Sequence, residues 1–235
     1  ENGTARVVGK VDRVDGWLHD GKLYLRVVDY KTGKKSFDLA ELRYGLGLQM
    51  LLYLFTLKEE GQMLFGGHEI VPAGVLYTPA REPMLRCARD TEPETIEKAL
   101  KKELRRSGMV LEDPAVLQAM EHSALESPCY LPIAVKRDGA VTGSLASAEQ
   151  LGKLSKYVDH ILHEITQEVF AGNIDADPYA RTPQQSACTY CEFASACHFE
   201  NGCGSDRMEY IKATKNDEFW QYIDELNGEG AHENG

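Results

Sequence analysis

Apolar and polar residues alternate from about Ala5 to Leu18 and again from about Leu23 to Thr32. A period of two is the mark of a β-strand. Between the two stretches lies His19-Asp20-Gly21-Lys22. Asp-Gly is the preferred pair for a two-residue type I′ turn, so the stretches read as one hairpin. With Asp20 and Gly21 as the turn, His19 faces Lys22, Trp17 faces Tyr24, Asp15 faces Arg26 and Asp12 faces Asp29. One face then carries Val8, Lys10, Asp12, Val14 and Leu18 with Leu23, Leu25, Val27, Asp29 and Lys31. It is apolar near the turn, charged at the far end, and expected to be the buried face. The other face has an aromatic pair and an ion pair, which suits partial exposure.

Asp38 reads as the N-cap of a helix from about Leu39 to Glu59, with Leu42, Leu46, Met50, Leu54 and Leu57 at helical spacing and Gly45 and Gly47 interrupting it. Ile70 to Tyr77 predicts a third strand, and Pro72 puts its beginning at an edge. Residues 78–147 are irregular and charged, with expected helices at Pro93–Arg106 and Pro114–His122 and a turn at Arg137-Asp138-Gly139. This stretch is read as a helical insert on the core. A long helix is predicted from about Ser147 to Phe170, with Leu151, Leu154, Val158, Ile161, Leu162, Ile165 and Val169 at helical spacing. A cysteine loop over 188–203 follows. The tail, 205–235, predicts an amphipathic helix at Glu218–Leu226 and a disordered end.

At 235 residues the chain is long enough for one domain, here drawn as 1–204 plus the tail. No apolar run is long enough to span a bilayer and no signal peptide opens the chain, so no membrane partner is expected. The chain enters its first strand almost at once, as a segment of a longer protein would. The net charge of −11 argues against nucleic acid as a partner of the whole surface. Yet the acid is concentrated in Glu92–Glu97 and after Asp206, whereas Lys10, Lys31, Lys34 and Lys35 cluster near the hairpin. Six unevenly spaced cysteines do not make a secreted disulfide scaffold, so an intracellular, cytoplasmic location is expected.

The charged end of the hairpin carries the chemistry. Directly opposed Asp12 and Asp29 would have Cβ atoms roughly 4.5–5.5 Å apart, and like charges there repel. A divalent cation would hold them, and hard oxygen donors suit Mg²⁺. Lys31 shares their face. Two carboxylates, a metal and a lysine suit phosphodiester hydrolysis: the metal polarises phosphate and activates water, and the lysine stabilises charge. The backbone carbonyl of Tyr30 is a further candidate ligand. Asp15 is explained by Arg26 alone.

Gly9-Lys10-Val11-Asp12, then Asp29-Tyr30-Lys31, then Gln49-Met50-Leu51-Leu52-Tyr53 together resemble the PD-(D/E)XK nuclease superfamily in its RecB-like branch. The resemblance runs from about Arg6 to Glu200. It implies an α/β, restriction-endonuclease-like mixed sheet flanked by helices. It makes Asp12 and Asp29 metal ligands, Lys31 the catalytic lysine, and Gln49 and Tyr53 residues lining the site. Being i and i+4, these last two share one helix face.

Cys188-x2-Cys191-x5-Cys197 is the second constellation. Cys-x-x-Cys alone fits zinc, redox or iron–sulfur chemistry, the third cysteine narrows this to metal, and ligand type does not choose between zinc and iron. The spacing resembles RecB-like nucleases of the AddB (RexB) type, in which three such cysteines and one far upstream hold a [4Fe–4S] cluster. The upstream cysteine, and an upstream histidine of the family's active site, have no counterpart in this sequence. Cys203 is a possible surrogate ligand, while Cys87, Cys129 and the histidines read as structural or surface groups.

The resemblance implies a Mg²⁺- or Mn²⁺-dependent exonuclease acting on single-stranded DNA in double-strand-break resection and recombinational repair. A helicase-bearing partner subunit would feed the strand, and a [4Fe–4S] cluster would be complete only in the full-length protein. Two readings compete: a nucleic-acid-binding module of the same fold without turnover, and a zinc or iron–sulfur protein in which the acidic hairpin is incidental.

Overall fold

A computed structural model describes residues 4–229. The chain divides into two units, one of residues 7–37 and 47–156, the other of residues 4–6, 38–46 and 157–229.

The hairpin forms in the expected register. Strands β1 (Arg13–His19) and β2 (Lys22–Lys31) are antiparallel, with His19 opposite Lys22, Trp17 opposite Tyr24, Asp15 opposite Arg26 and Arg13 opposite Val28. Asp20 and Gly21 have φ of 48° and 76°, the double left-handed geometry that a type I′ turn requires. The first strand is shorter than expected, and residues 4–11 have no regular structure. Pairing stops just before the two aspartates would face each other, where directly opposed like charges disfavour the ladder. Burial differs from expectation as well: Leu25 and Val27 are buried, whereas Leu18 is exposed.

The single helix expected after Asp38 is two helices. Asp38 caps α1 (Leu39–Arg43), its carboxylate accepting the Ala40 N–H, and α2 spans Gln49–Glu60. Gly45 and Gly47 lie between them at φ of 70° and 71°, a left-handed conformation that a continuous helix cannot contain. α1 belongs to one unit and α2 to the other.

In the first unit, β3 (Glu69–Pro79) runs parallel to β2, and α2 forms the crossover's helix, burying Met50, Leu51, Leu54 and Phe55. The register shifts between Leu25 and Arg26, which face Pro72 and Gly74. Pro72 lies at an edge as expected, since β4 (Ser107–Leu111) pairs only with Gly74–Tyr77. The stretch read as an insert is therefore part of the sheet. It supplies β4 and, parallel to it, β7 (Leu145–Ala146), giving the order β1-β2-β3-β4-β7. It also supplies α3 (Pro93–Glu103) and α4 (Pro114–Met120), plus a small hairpin of β5 (Ile133–Val135) and β6 (Val141–Gly143) around the expected Asp138-Gly139 turn. Leu76, Val110, Leu117, Leu131 and Ile133 form a shared core. Glu121 braces it by accepting the backbone N–H groups of Cys129, Tyr130 and Leu131.

Helix α5 (Ala148–Ala171) begins at a capping box, with Ser147 Oγ taking the Gln150 N–H and Gln150 Oε1 taking the Ser147 N–H. Leu151, Leu154 and Val158 are buried as their spacing requires, whereas Ile165 and Val169 are exposed. In the second unit, β8 (Tyr179–Thr182), β9 (Gln185–Ser186) and β10 (Glu209–Tyr210) form a small sheet. The cysteine segment includes one helical turn, α6 (Ala194–Cys197). The tail helix is α7 (Asn216–Glu229), longer than expected, and Phe219 and Ile223 are fully buried. Phe219 meets Tyr157 edge-on at 6.4 Å. The disordered end expected over the last residues lies outside the described residues. None of the described helices is long and apolar enough to cross a membrane.

Candidate active site

Asp29 sits near the end of β2, opposite Tyr77 of the parallel neighbour β3, and is only 8% exposed. Lys31, two residues on, shares its face as the strand period requires. Its Nζ lies 2.7 Å from Asp29 Oδ2 and 5.8 Å from the centroid of the Tyr77 ring. The ion pair is not aligned as a hydrogen bond, and this buried oxygen has no hydrogen-bond partner. Such an oxygen is costly unless a charge compensates it. Asp12 reaches the same strand from beyond the end of the ladder, its Oδ2 accepting the Tyr30 N–H at 3.2 Å. Unlike Asp29, it is exposed. The Tyr30 side chain points to solvent and its hydroxyl accepts from Arg13 Nη1 at 3.0 Å.

Helix α2 carries the third motif. Gln49 Nε2 donates to Tyr53 Oη at 3.0 Å, so the two residues act as one pair on one helix face. Tyr53 in turn lies against the backbone of Gly9: a Cβ at Gly9 would fall 2.6 Å from both Cε1 and Oη of the ring. The glycine of the first motif thus leaves room for the tyrosine of the third.

Asp15 is held elsewhere. Arg13 Nε and Arg26 Nε reach its two oxygens at 2.6 and 2.8 Å. Burial raises its pKa, but the two guanidiniums outweigh this and hold the carboxyl below its usual range. Both of its oxygens are engaged by guanidiniums.

The donor set fits a hard divalent cation. Asp29 offers a buried oxygen without a hydrogen-bond partner, and Asp12 offers an exposed carboxylate anchored on the adjoining residue of β2. No group of three or more His, Cys, Asp or Glu is gathered for a metal among the described residues. A cation here would complete its shell with backbone oxygen, water or substrate.

The cysteines are not gathered. Cys188 is half-buried, Cys191, Cys197 and Cys203 are exposed, and all four are free thiols. Cys188 and Cys191 are joined through a backbone turn (Cys191 N–H to the Cys188 carbonyl, 3.3 Å), which does not bring Cys197 to them. The donor type suits a cluster but the described geometry does not form one, so no chemistry is derived through it. Cys87 is an exposed loop thiol and Cys129 is half-buried. His160 pairs with Glu164 and His163 with Gln167, as surface groups do.

Beside Lys31 lies a cavity of about 310 Å³ walled by the loop after β2, the end of β3 and the region from α3 to β4. Lys34 and Lys35 are visible in the sequence as neighbours of the hairpin. Arg81, Lys102 and Arg105 come from the stretch read as an insert: Arg81 follows the end of β3, which pairs with Lys31 of β2, and the pairing of β4 with β3 brings the region of Lys102 and Arg105 here.

The model of the PD-(D/E)XK nuclease superfamily matches residues 2–198. The chain belongs to the PD-(D/E)XK nuclease superfamily. Its members are phosphodiester-cleaving enzymes, and the mixed sheet with its flanking helices is the fold expected of one. Among the relatives of this nuclease chain are proteins named as the B subunit of an ATP-dependent helicase/deoxyribonuclease. That of Ruminiclostridium cellulolyticum is 32% identical over 223 residues, covering 94% of this chain and 19% of that protein. That of Clostridium botulinum strain Loch Maree is 34% identical over 220 residues, covering 92% and 19%. That of Thermoanaerobacter sp. strain X514 is 31% identical over 227 residues, covering 95% and 20%. The chain spans about a fifth of the length of the curated relatives it matches.

Proposed function

We propose that this chain is the nuclease domain of an AddB-type helicase–nuclease and cleaves single-stranded DNA as a Mg²⁺- or Mn²⁺-dependent exonuclease. The observation that carries this reading is the buried Asp29 oxygen, without a hydrogen-bond partner, beside Lys31 and next to the residue that anchors Asp12. Asp12, Asp29 and the Tyr30 carbonyl would hold the cation. Bound there, it would supply a polarised phosphoryl oxygen and a water of lowered pKa.

The chain's own residues do the rest. Lys31, held at Asp29, places a positive charge where the phosphate's developing negative charge needs it. Gln49 and Tyr53, joined to each other and seated on Gly9, line the approach and orient the strand. The helicase-bearing partner of such a protein would deliver the strand during double-strand-break resection. The assignment of Cys188, Cys191 and Cys197 to a [4Fe–4S] cluster rests on their spacing and the family resemblance, and no step of cleavage depends on it.

The test is cleavage of labelled single-stranded DNA with Mg²⁺ or Mn²⁺, comparing the unaltered chain with Asp29→Ala and Lys31→Ala. Loss of turnover by two or more orders of magnitude in both is expected. Cleavage that survives both changes would rule out the site.

A further inference from the structure

The cavity beside Lys31 has a charge opposite to that of the molecule. Lys31, Lys34, Lys35, Arg81, Lys102 and Arg105 line it, against Glu103 as its one carboxylate, in a chain of net charge −11. Glu103 is already engaged, Arg81 Nη2 donating to it at 3.0 Å. Arg105 is held in place by the main-chain carbonyls of Leu131 and Ile133, which fix its guanidinium without neutralising it. The wall formed by the loop after β2 is also held, with the Phe37 N–H donating to Ser107 Oγ at 2.7 Å. Thr78, in the wall, has a hydroxyl without a hydrogen-bond partner.

A pre-positioned, cationic recess with hydroxyls in its wall recognises phosphate oxygens. Lys31 is among its lining residues, so a phosphate held there would lie close to the bond being cut. We propose that this cavity is a strand anchor, binding a DNA phosphate beyond the scissile one on the Lys31 side. The inference rests on the nuclease reading for its substrate, and on the cavity's own charge and geometry for its place. An anchor of this kind fixes register along the strand and carries no base preference.

The test is binding of labelled oligo(dT) to the full chain by fluorescence anisotropy over a series of KCl concentrations. It is done in an Asp29→Asn background so that cleavage does not consume the probe. Lys34→Ala with Lys102→Ala is expected to reduce the slope of log K against log[salt] by about 0.7, the value for one single-strand phosphate that is no longer neutralised. Glu103→Gln, which releases Arg81, is expected to steepen it. Unchanged slopes in both variants overturn the anchor, and Glu103→Gln decides alone if the double variant does not fold. Oligonucleotides with and without terminal phosphates identify the source. A loss confined to phosphorylated ends points to a terminal phosphate, and an equal loss to an internal phosphodiester. If the Asp29→Asn chain still cleaves DNA, the active-site reading fails while the slopes still report on the cavity.

Discussion

Gly9 and Tyr53 occupy each other's space: a methyl group on Gly9 would sit 2.6 Å from the Tyr53 ring, well inside van der Waals contact. The two residues are far apart in sequence, yet each constrains the other. The Tyr53 hydroxyl also accepts from Gln49, so the glycine, the tyrosine and the glutamine form one connected unit.

Gly9→Ala is therefore expected to act through Tyr53. The ring can swing aside at the cost of its bond to Gln49, so cleavage falls by about tenfold or more, on the scale of misplaced positioning groups, with little change in thermal midpoint. The measurement is a double-mutant cycle on kcat/KM with Tyr53→Phe. Strong non-additivity is expected, whereas simple additivity would show that the close approach has no catalytic consequence.

The Asp29 and Asp12 carboxylates predict a stabilising cation. At a concentration one hundred times its dissociation constant, a metal that binds only the folded chain adds about 2.7 kcal/mol. The thermal midpoint should rise on titration with Mn²⁺ or Mg²⁺, and the rise should vanish in Asp29→Asn and Asp12→Asn. A rise that persists in both places the cation elsewhere.

Much of the hairpin was legible because Asp20-Gly21 admits one kind of turn, and that turn sets the register of every pair after it. The burial of Asp29 and its pairing with Lys31 follow from that register. Asp12 did not follow it. The ladder ends at Arg13, and the Asp12 carboxylate binds the Tyr30 N–H in place of a position on the face, a choice made by local electrostatics that no period records. Gly45 and Gly47 were visible, but the break they cause was not, since an apolar stripe on both sides mimics one helix. β4 is short and starts with Ser107-Gly108, so it carried no alternating signal. With it went the sheet order and the cationic cavity.

The tail helix gives a prediction about stability. Phe219 is fully buried and packs against Tyr157, within the segment whose sequence predicts an amphipathic helix. Phe219→Ala is expected to cost about 3–5 kcal/mol, as large-to-small changes at buried aromatics do. Denaturant unfolding followed by far-ultraviolet circular dichroism measures this, and a cost below about 0.5 kcal/mol, the range of surface positions, would show α7 to be peripheral.

Tyr157 makes stability sensitive to alkali. Its hydroxyl lies 2.8 and 3.0 Å from the carbonyl oxygens of Leu42 and Arg43. Burial first, and the neighbouring Tyr222 next, push its pKa far above the ordinary tyrosine value. Below about pH 10 the phenol is protonated in both folded and unfolded chains, so it contributes no pH dependence. Above that, the unfolded chain releases the proton first, and stability falls as pH rises toward the folded value. One such group removes about 1.4 kcal/mol per pH unit. Tyr157→Phe should be less stable than the unaltered chain at pH 7 by about 1 kcal/mol, the usual loss with a hydrogen bond. Its stability should also decline less steeply between about pH 10 and 11, just above the ordinary tyrosine pKa. Chemical denaturation at stepped pH reads both quantities, and equal slopes for the two proteins would show that the phenol ionises as readily in the folded chain as in the unfolded one.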